Sequence, residues 1–174
     1  AATSTSTVFG RSPMSDKRSI FDVVHKYFGD SQWVTTQFTG KPILRFSHVG
    51  KNGSWVCIAH ARESEERFVF YSIGITGMPE AKRLAMAEFL TRANFGLIIG
   101  NFEMDLNDGE VRFKTSIDVD GDRFTAALLK QLVDVNLEMM DKYLPGMVAV
   151  IDTDTTPAEA VAGVEGPATT RFEG

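Results

Sequence analysis

Residues 79–144 constrain the fold more than any other stretch, because they indicate a helix, a strand hairpin and a second helix in immediate succession. The first helix is predicted from Pro79 to Gly96, since proline is tolerated in a first helical turn and glycine suits a helix end. The hairpin turns at residues 107–109, Asn-Asp-Gly, between two runs of alternating apolar and polar residues. This order predicts a sheet with helices packed on it, an α+β architecture.

The residues before Pro79 extend the same pattern. Ser19 is a candidate N-cap for a short amphipathic helix that ends near Gly29. Three strand-like runs follow, the first turning at residues 40–42, and Asn-Gly at 52–53 marks a further hairpin turn. Together with the later hairpin they predict a five-stranded antiparallel sheet in a single α+β domain over residues 19–151, in the order α-β-β-β-α-β-β-α.

The last predicted helix, residues 122–144, has more apolar surface than one sheet face needs. Its apolar arc covers about 220° of the helical wheel at about 100° per residue. One stripe, which begins at Phe124, is of normal width for a core. The second stripe is either covered by other parts of the chain or is a docking face for a partner protein or a second copy. We favour docking, with these partner-binding residues: Leu129, Val133, Leu137, Met140 and Leu144.

Both ends of the chain are predicted to lie outside the domain. Residues 1–18 are predicted to form a flexible arm, and residues 152–174 an acidic tail rich in Ala, Thr and Gly. Neither has the periodicity or the large side chains of a packed element, so we expect them to be disordered unless they lie along a larger assembly. The start of the chain is consistent with a processed mature protein or with a cloning scar.

Charge and composition exclude several function classes. The net charge is −5, of which the tail carries −4, so the body has no basic field for nucleic acid. No apolar run reaches the about 20 residues that span a membrane. Cys57 is the only cysteine and is interpreted as a small apolar strand residue. The three histidines, His25, His48 and His60, form no metal-ligand or catalytic pattern. We therefore predict no catalytic, cofactor-binding or metal-binding residues.

Residues 91–119 resemble the YbjN-domain family, which has the fold of type III secretion chaperones. The shared motifs are an Asn-aromatic-Gly step at Asn94–Gly96, a Gly-x-Phe-Glu strand at Gly100–Glu103, an acidic turn at 107–109 and a Glu-Val-Arg-Phe strand at Glu110–Phe113. The resemblance covers about residues 19–151. It implies a sensory-transduction regulator or a chaperone that binds client segments, commonly as a dimer. It implies no catalytic residues, and members from oxygenic phototrophs look similar.

The sequence thus predicts a non-enzymatic protein-interaction module. It would act as an accessory subunit or a chaperone-like assembly factor of a larger complex, for which we expect a photosynthetic assembly in a plastid stroma or cyanobacterial cytoplasm. The alternative is a domain that senses a small molecule between sheet and helices. An apolar cavity between Phe89 and Phe113 or Ile117 would support that alternative, and a fully packed interface there would count against it.

Overall fold

A single antiparallel sheet organises the chain, and the computed structural model describes it over residues 19–120 and 122–166. The predicted arm, residues 1–18, and residues 167–174 of the predicted tail lie outside the described residues. The strand order is β1-β2-β3-β4-β6-β5. The bounds are β1 Thr36–Gln37, β2 Ile43–Val49, β3 Ser54–Arg62, β4 Arg67–Ile75, β5 Asn101–Met104 and β6 Val111–Asp118.

The described helices all lie on the same face of this sheet. They are α1 Ile20–Gly29, α2 Glu80–Asn94, α3 Ala126–Asp152 and α4 Pro157–Glu165. Ser19 caps α1 as predicted, with its Oγ accepting a hydrogen bond from the Asp22 N–H at 3.0 Å. Phe28 of α1 contacts Phe46 of β2 and Phe70 of β4, while Tyr143 of α3 contacts Phe102 of β5. The opposite sheet face carries no helix among the described residues.

The alternation of side chains along the strands decides which of them form the core. In β6, Val111, Phe113 and Thr115 are buried toward the helices, and Val119 just beyond the strand is buried as well, as the sequence pattern predicts. The intervening residues of β6 face the opposite, partly exposed side. The predicted α+β class with an antiparallel sheet is therefore confirmed.

The structure has one strand more than predicted. The first strand-like run forms two strands, because its part before the turn at residues 40–42 is the two-residue strand β1, which pairs with β2 at the sheet edge. A two-residue strand leaves too little alternation to be read from sequence.

The last helix is predicted to end before Pro145, but in the structure α3 continues to Asp152. Proline lacks an N–H, so the carbonyl of Asp141, four residues earlier, loses its helical donor. The side chain of Asn52, in the β2–β3 turn, replaces it by donating from Nδ2 to the Asp141 carbonyl at 3.0 Å. The Asn52 N–H also donates to Asp141 Oδ1 at 2.8 Å. A tertiary contact thus compensates the proline and lets the helix continue.

Part of the predicted tail is folded. Residues 157–165 form α4, which begins with a capping box in which Thr156 and Glu159 satisfy each other's backbone N–H groups. Ala160 and Val161 are buried, and Tyr143 donates from its hydroxyl to Glu165 at 2.7 Å. The prediction of a disordered segment is therefore wrong for these residues, because small apolar side chains suffice to bury a short helix against α2 and α3.

Candidate interaction surfaces

The proposed docking stripe of the last helix lies in the core of the chain itself. Its five residues are between 0% and 8% exposed: Leu129, Val133, Leu137, Met140 and Leu144. Helix α3 crosses β4 and β6 and is flanked by α1, α2 and α4, so the chain covers the wide apolar arc without a partner. The five residues are therefore core residues of the folded chain, which corrects the prediction that they form a docking face. A partner could reach these side chains only if α3 left the sheet, so an interaction site has to be sought elsewhere.

Asn136, the polar interruption of that arc, binds the sheet from within. Its Nδ2 donates to the carbonyls of Phe70 at 3.1 Å and Phe113 at 3.2 Å, and lies 3.2 Å from the Thr115 hydroxyl oxygen. Thr115 in turn donates to the Leu132 carbonyl of α3 at 3.0 Å. These bonds fix the height of the helix above β4 and β6.

The residues with reactive side chains are not brought together. His25 is exposed on α1, His48 lies between Trp33 and Trp55 on the helix side of the sheet, and His60 is on the opposite face. Burial lowers the pKa of His48, although the Asp141 carboxylate opposes this shift. Burial also lowers the pKa of His60, and the nearby Arg62 adds to the effect.

Cys57 is fully buried in β3, which confirms its interpretation as a core strand residue. Burial raises the pKa of the Cys57 thiol to about 12, although hydrogen bonding to Ser72 opposes the shift. Over residues 19–120 and 122–166, no group of three or more His, Cys, Asp or Glu side chains is placed to hold a metal ion. In the same range, no helix is long and apolar enough to cross a membrane.

The loop between α2 and β5 exposes three large apolar side chains within five residues. Phe95 is 73% exposed, Ile98 97% and Ile99 48%. Large apolar side chains exposed one at a time are normal on a protein surface, whereas three within five residues make this loop a candidate for an interaction. We name these three residues the apolar loop tip.

The backbone on either side of the apolar loop tip is held in place. Asn94, the last residue of α2, accepts from the Phe102 N–H at 2.7 Å and donates to the Phe102 carbonyl at 3.1 Å. Leu97 packs against the core between the exposed residues. Gly100 has φ +80°, and a Cβ there would lie 2.7 Å from the Lys114 carbonyl oxygen, so only glycine fits. The tip is therefore a fixed projection.

Asn94 also protects the edge of the sheet. Within the described part of the chain, β5 pairs only with β6, so its outer backbone groups would otherwise be open to another strand. By bonding both outer groups of Phe102, the Asn94 amide occupies the position of such a strand. A partner at this edge would meet side chains of the apolar loop tip rather than add a strand at Phe102.

A cleft of about 990 Å³ lies between α1, the loop that follows it and the start of α3. Its apolar wall contains Tyr27, Trp33 and Phe124, and its charged groups include Arg123 and the Lys26–Asp30 ion pair. At the position considered from sequence, between Phe89 and Phe113 or Ile117, both phenylalanine rings are fully buried and Ile117 packs against the core. The packed interface counts against a ligand at that position.

Comparisons with known proteins agree with this fold. Among curated proteins, none matches the chain at a significant level. The solved structure of YbjN from E. coli, described as "a putative transcription regulator", is similar with a TM-score of 0.54 at 13% sequence identity. The match covers 75% of this chain and 87% of that one, and at this identity it shows the fold alone. The model of the YbjN family, described as "Putative bacterial sensory transduction regulator", matches residues 21–148. The chain therefore belongs to the YbjN family.

Proposed function

We propose that this chain is a non-enzymatic protein-interaction module that binds a partner protein through the apolar loop tip. The observation that carries this proposal is the exposure of Phe95, Ile98 and Ile99 on a loop whose backbone is fixed by Asn94 and Gly100. A fixed loop loses little conformational freedom on binding, so most of the apolar burial would contribute to affinity. The tip replaces the α3 stripe as the expected contact.

The module would serve as an accessory subunit or a chaperone-like assembly factor. The regulatory role in the family's description and the interaction role implied by the resemblance are both compatible with such a contact. As host we suggest a photosynthetic assembly of a plastid or cyanobacterium, which rests only on the resemblance to members from oxygenic phototrophs. The identity of the chain that co-purifies with this protein decides the host.

The test uses that co-purified partner in purified form. The loop variant Phe95→Ser/Ile98→Ser/Ile99→Ser should bind it at least about tenfold more weakly, because hot-spot contacts are large apolar anchors. The control is Val34→Ser/Val49→Ser/Leu84→Ser, which removes three apolar side chains that are 79–90% exposed at scattered positions. Equal losses in both variants, or no loss in the loop variant, would overturn the assignment of the tip as the contact.

The cleft supports a second candidate function, the sensing of a small molecule. Its volume is in the range of ligand pockets, and its aromatic wall beside Arg123 suits an aromatic anion. We would titrate the fluorescent aromatic anion anilinonaphthalene sulfonate into the wild type and into Ala126→Trp, which fills the cleft. Binding that is lost in Ala126→Trp but kept in the loop variant would support the cleft. Binding that is lost in the loop variant but kept in Ala126→Trp would exclude the cleft as the ligand site.

A further inference from the structure

Helix α4 lies in a groove between α2 and α3, so the chain fills this groove with its own C-terminal helix. At Gly146 of α3 an added Cβ would lie 2.8 Å from the Phe89 ring of α2 and 2.9 Å from Val164 of α4, so glycine allows the three helices to approach closely. The buried Tyr143 donates from its hydroxyl to Glu165 of α4 at 2.7 Å. We name Phe89, Tyr143 and Gly146 the helix groove.

Helix α4 presents a simple pattern of side chains to this groove. Its buried or partly buried residues are Pro157, Ala160, Val161 and Val164. This spacing of i, i+3, i+4 and i+7 places all four on one face of the helix. The groove therefore accepts a helix with small apolar side chains in this spacing, followed by a carboxylate that reaches the Tyr143 hydroxyl.

Few contacts hold α4 in the groove. The helix has nine residues, which is fewer than the about 12–15 that an isolated helix needs, so α4 is helical only when it is docked. Its fully buried side chains, Ala160 and Val161, are small, and Gly163 in its interior lowers its helix propensity. Residues 153–156 join it to α3, so α4 can leave while α3 stays on the sheet. Elements with so little buried surface open before the rest of a fold.

We infer that the helix groove binds an α-helix of a partner protein, and that α4 covers the groove while this partner is absent. The partner helix would carry the α4 pattern, with small apolar residues at i, i+3, i+4 and i+7 and a carboxylate for Tyr143. The occupant is specified by α4 itself, which is seated in the groove. Helix α4 lies beyond the residues that match the family model, 21–148, whereas the groove residues lie within them. The groove shares no residue with the apolar loop tip, so the inference does not rest on the proposed function.

The probe is a fluorescently labelled synthetic peptide of residues 153–166. In the full chain, Ala160→Asp/Val161→Asp should undock the chain's own α4, because two buried carboxylates would have no partners there. This variant should bind the peptide at least about tenfold more tightly than the wild type, since the apparent affinity of a site falls with the fraction of molecules in which it is open. A control peptide with the same two substitutions should not bind. Equal binding to both proteins, or no binding to the folded variant, would overturn the inference.

A second variant changes the cover without adding charge. Gly163→Ala meets nothing within 4 Å and favours the helical, docked form of α4. It should bind the peptide about two- to fivefold more weakly than the wild type. The matched control is Gly29→Ala at the end of α1, which also meets nothing within 4 Å and should leave peptide binding unchanged. This comparison decides the question even if the double aspartate variant does not fold, and equal binding by Gly163→Ala and the wild type would overturn the inference.

Other occupants give distinguishable results. A wild-type dimer that Ala160→Asp/Val161→Asp dissociates would assign the groove to α4 of a second copy. Peptide binding that is lost in the loop variant would place the peptide on the apolar loop tip. Either result would overturn the inference. The proposed function fails instead if the loop variant keeps its partner, so the two proposals can fail separately.

Discussion

At the scale of single residues, Asn136 shows how one polar side chain positions a helix in an apolar core. Its amide nitrogen contacts acceptors on both β4 and β6, which fixes the orientation of the amide. Its Oδ1 is the one buried side-chain oxygen or nitrogen in the described part of the chain that lacks a hydrogen-bond partner. The Oδ1 acceptor of this side chain therefore stays unsatisfied, while the amide nitrogen fixes the position of α3.

Asn136→Asp should cost about 3 kcal/mol or more of folding free energy at neutral pH, because a buried carboxylate would face carbonyl oxygens without a donor. Burial would raise the pKa of this carboxyl in the folded state above its unfolded value of about 3.9. The variant is then least impaired below about pH 4, and it loses stability as the pH rises toward the folded pKa. Urea unfolding against the wild type across this range, with Asn136→Ala as the control, measures the effect. A stability difference that does not change with pH would contradict it.

Cys57 should be inert in the folded protein, since burial and a pKa of about 12 leave almost no thiolate at neutral pH. Labelling with iodoacetamide should therefore proceed only as fast as the chain unfolds, and it should become rapid in denaturant. Mass spectrometry of native and denatured samples measures both rates. Fast native labelling would mean that β3 opens locally.

At the scale of elements, α3 depends on a contact that its own sequence does not contain. Pro145 predicts a helix end because it has no N–H to donate to the Asp141 carbonyl. In the structure this hydrogen bond is supplied by Asn52, which is distant in sequence. The helix could therefore not be predicted at its observed length, because the compensation is tertiary.

A double-mutant cycle tests this compensation. Asn52→Ala should destabilise the protein by about 1–2 kcal/mol, because the Asp141 carbonyl loses its only replacement donor. In a Pro145→Ala background the helical N–H returns, so the cost of Asn52→Ala should fall. Urea unfolding of the four proteins gives the coupling energy. Equal costs in both backgrounds would show that the Asn52 side chain acts through another contact, such as that of its Nδ2 with Asp141 Oδ2 at 3.4 Å.

Helix α4 should be sensitive to volume at Gly146. A Cβ there would lie 2.8 Å from the Phe89 ring and 2.9 Å from Val164, so Gly146→Ala should displace α4 and cost about 1–3 kcal/mol. Hydrogen exchange should show α4 losing protection first. The control is Gly163→Ala within α4, which meets nothing within 4 Å and should stabilise the helix by about 0.5–1 kcal/mol. If both variants behave alike, α4 does not pack as described.

At the scale of the whole molecule, the sequence predicted the architecture because alternation, turn glycines and caps act locally. The pattern of β6 and the Ser19 cap are examples. The interaction surface could not be predicted in the same way, since the apolar arc of α3 has the same appearance whether a partner or the chain itself covers it. Only the three-dimensional packing of the sheet and the other helices around α3 decides between the two.

One signal for the apolar loop tip was present in the sequence. Residues 97–99, Leu-Ile-Ile, lie between two glycines in a predicted connection, where a short loop cannot bury three large side chains. The structure buries part of Leu97 and exposes Ile98 and Ile99. The α4 segment also carried a signal, because Thr156 and Glu159 have the spacing of a capping box and Pro157 suits a first helical turn.

The central claim is that the apolar loop tip joins this chain to a partner protein, and native mass measured from the source tests it most directly. The wild type should migrate in an assembly well above its own 19.2 kDa, and the Phe95→Ser/Ile98→Ser/Ile99→Ser variant should migrate near 19.2 kDa while keeping its fold. A wild type that migrates alone, or a folded loop variant that stays in the assembly, would contradict the account.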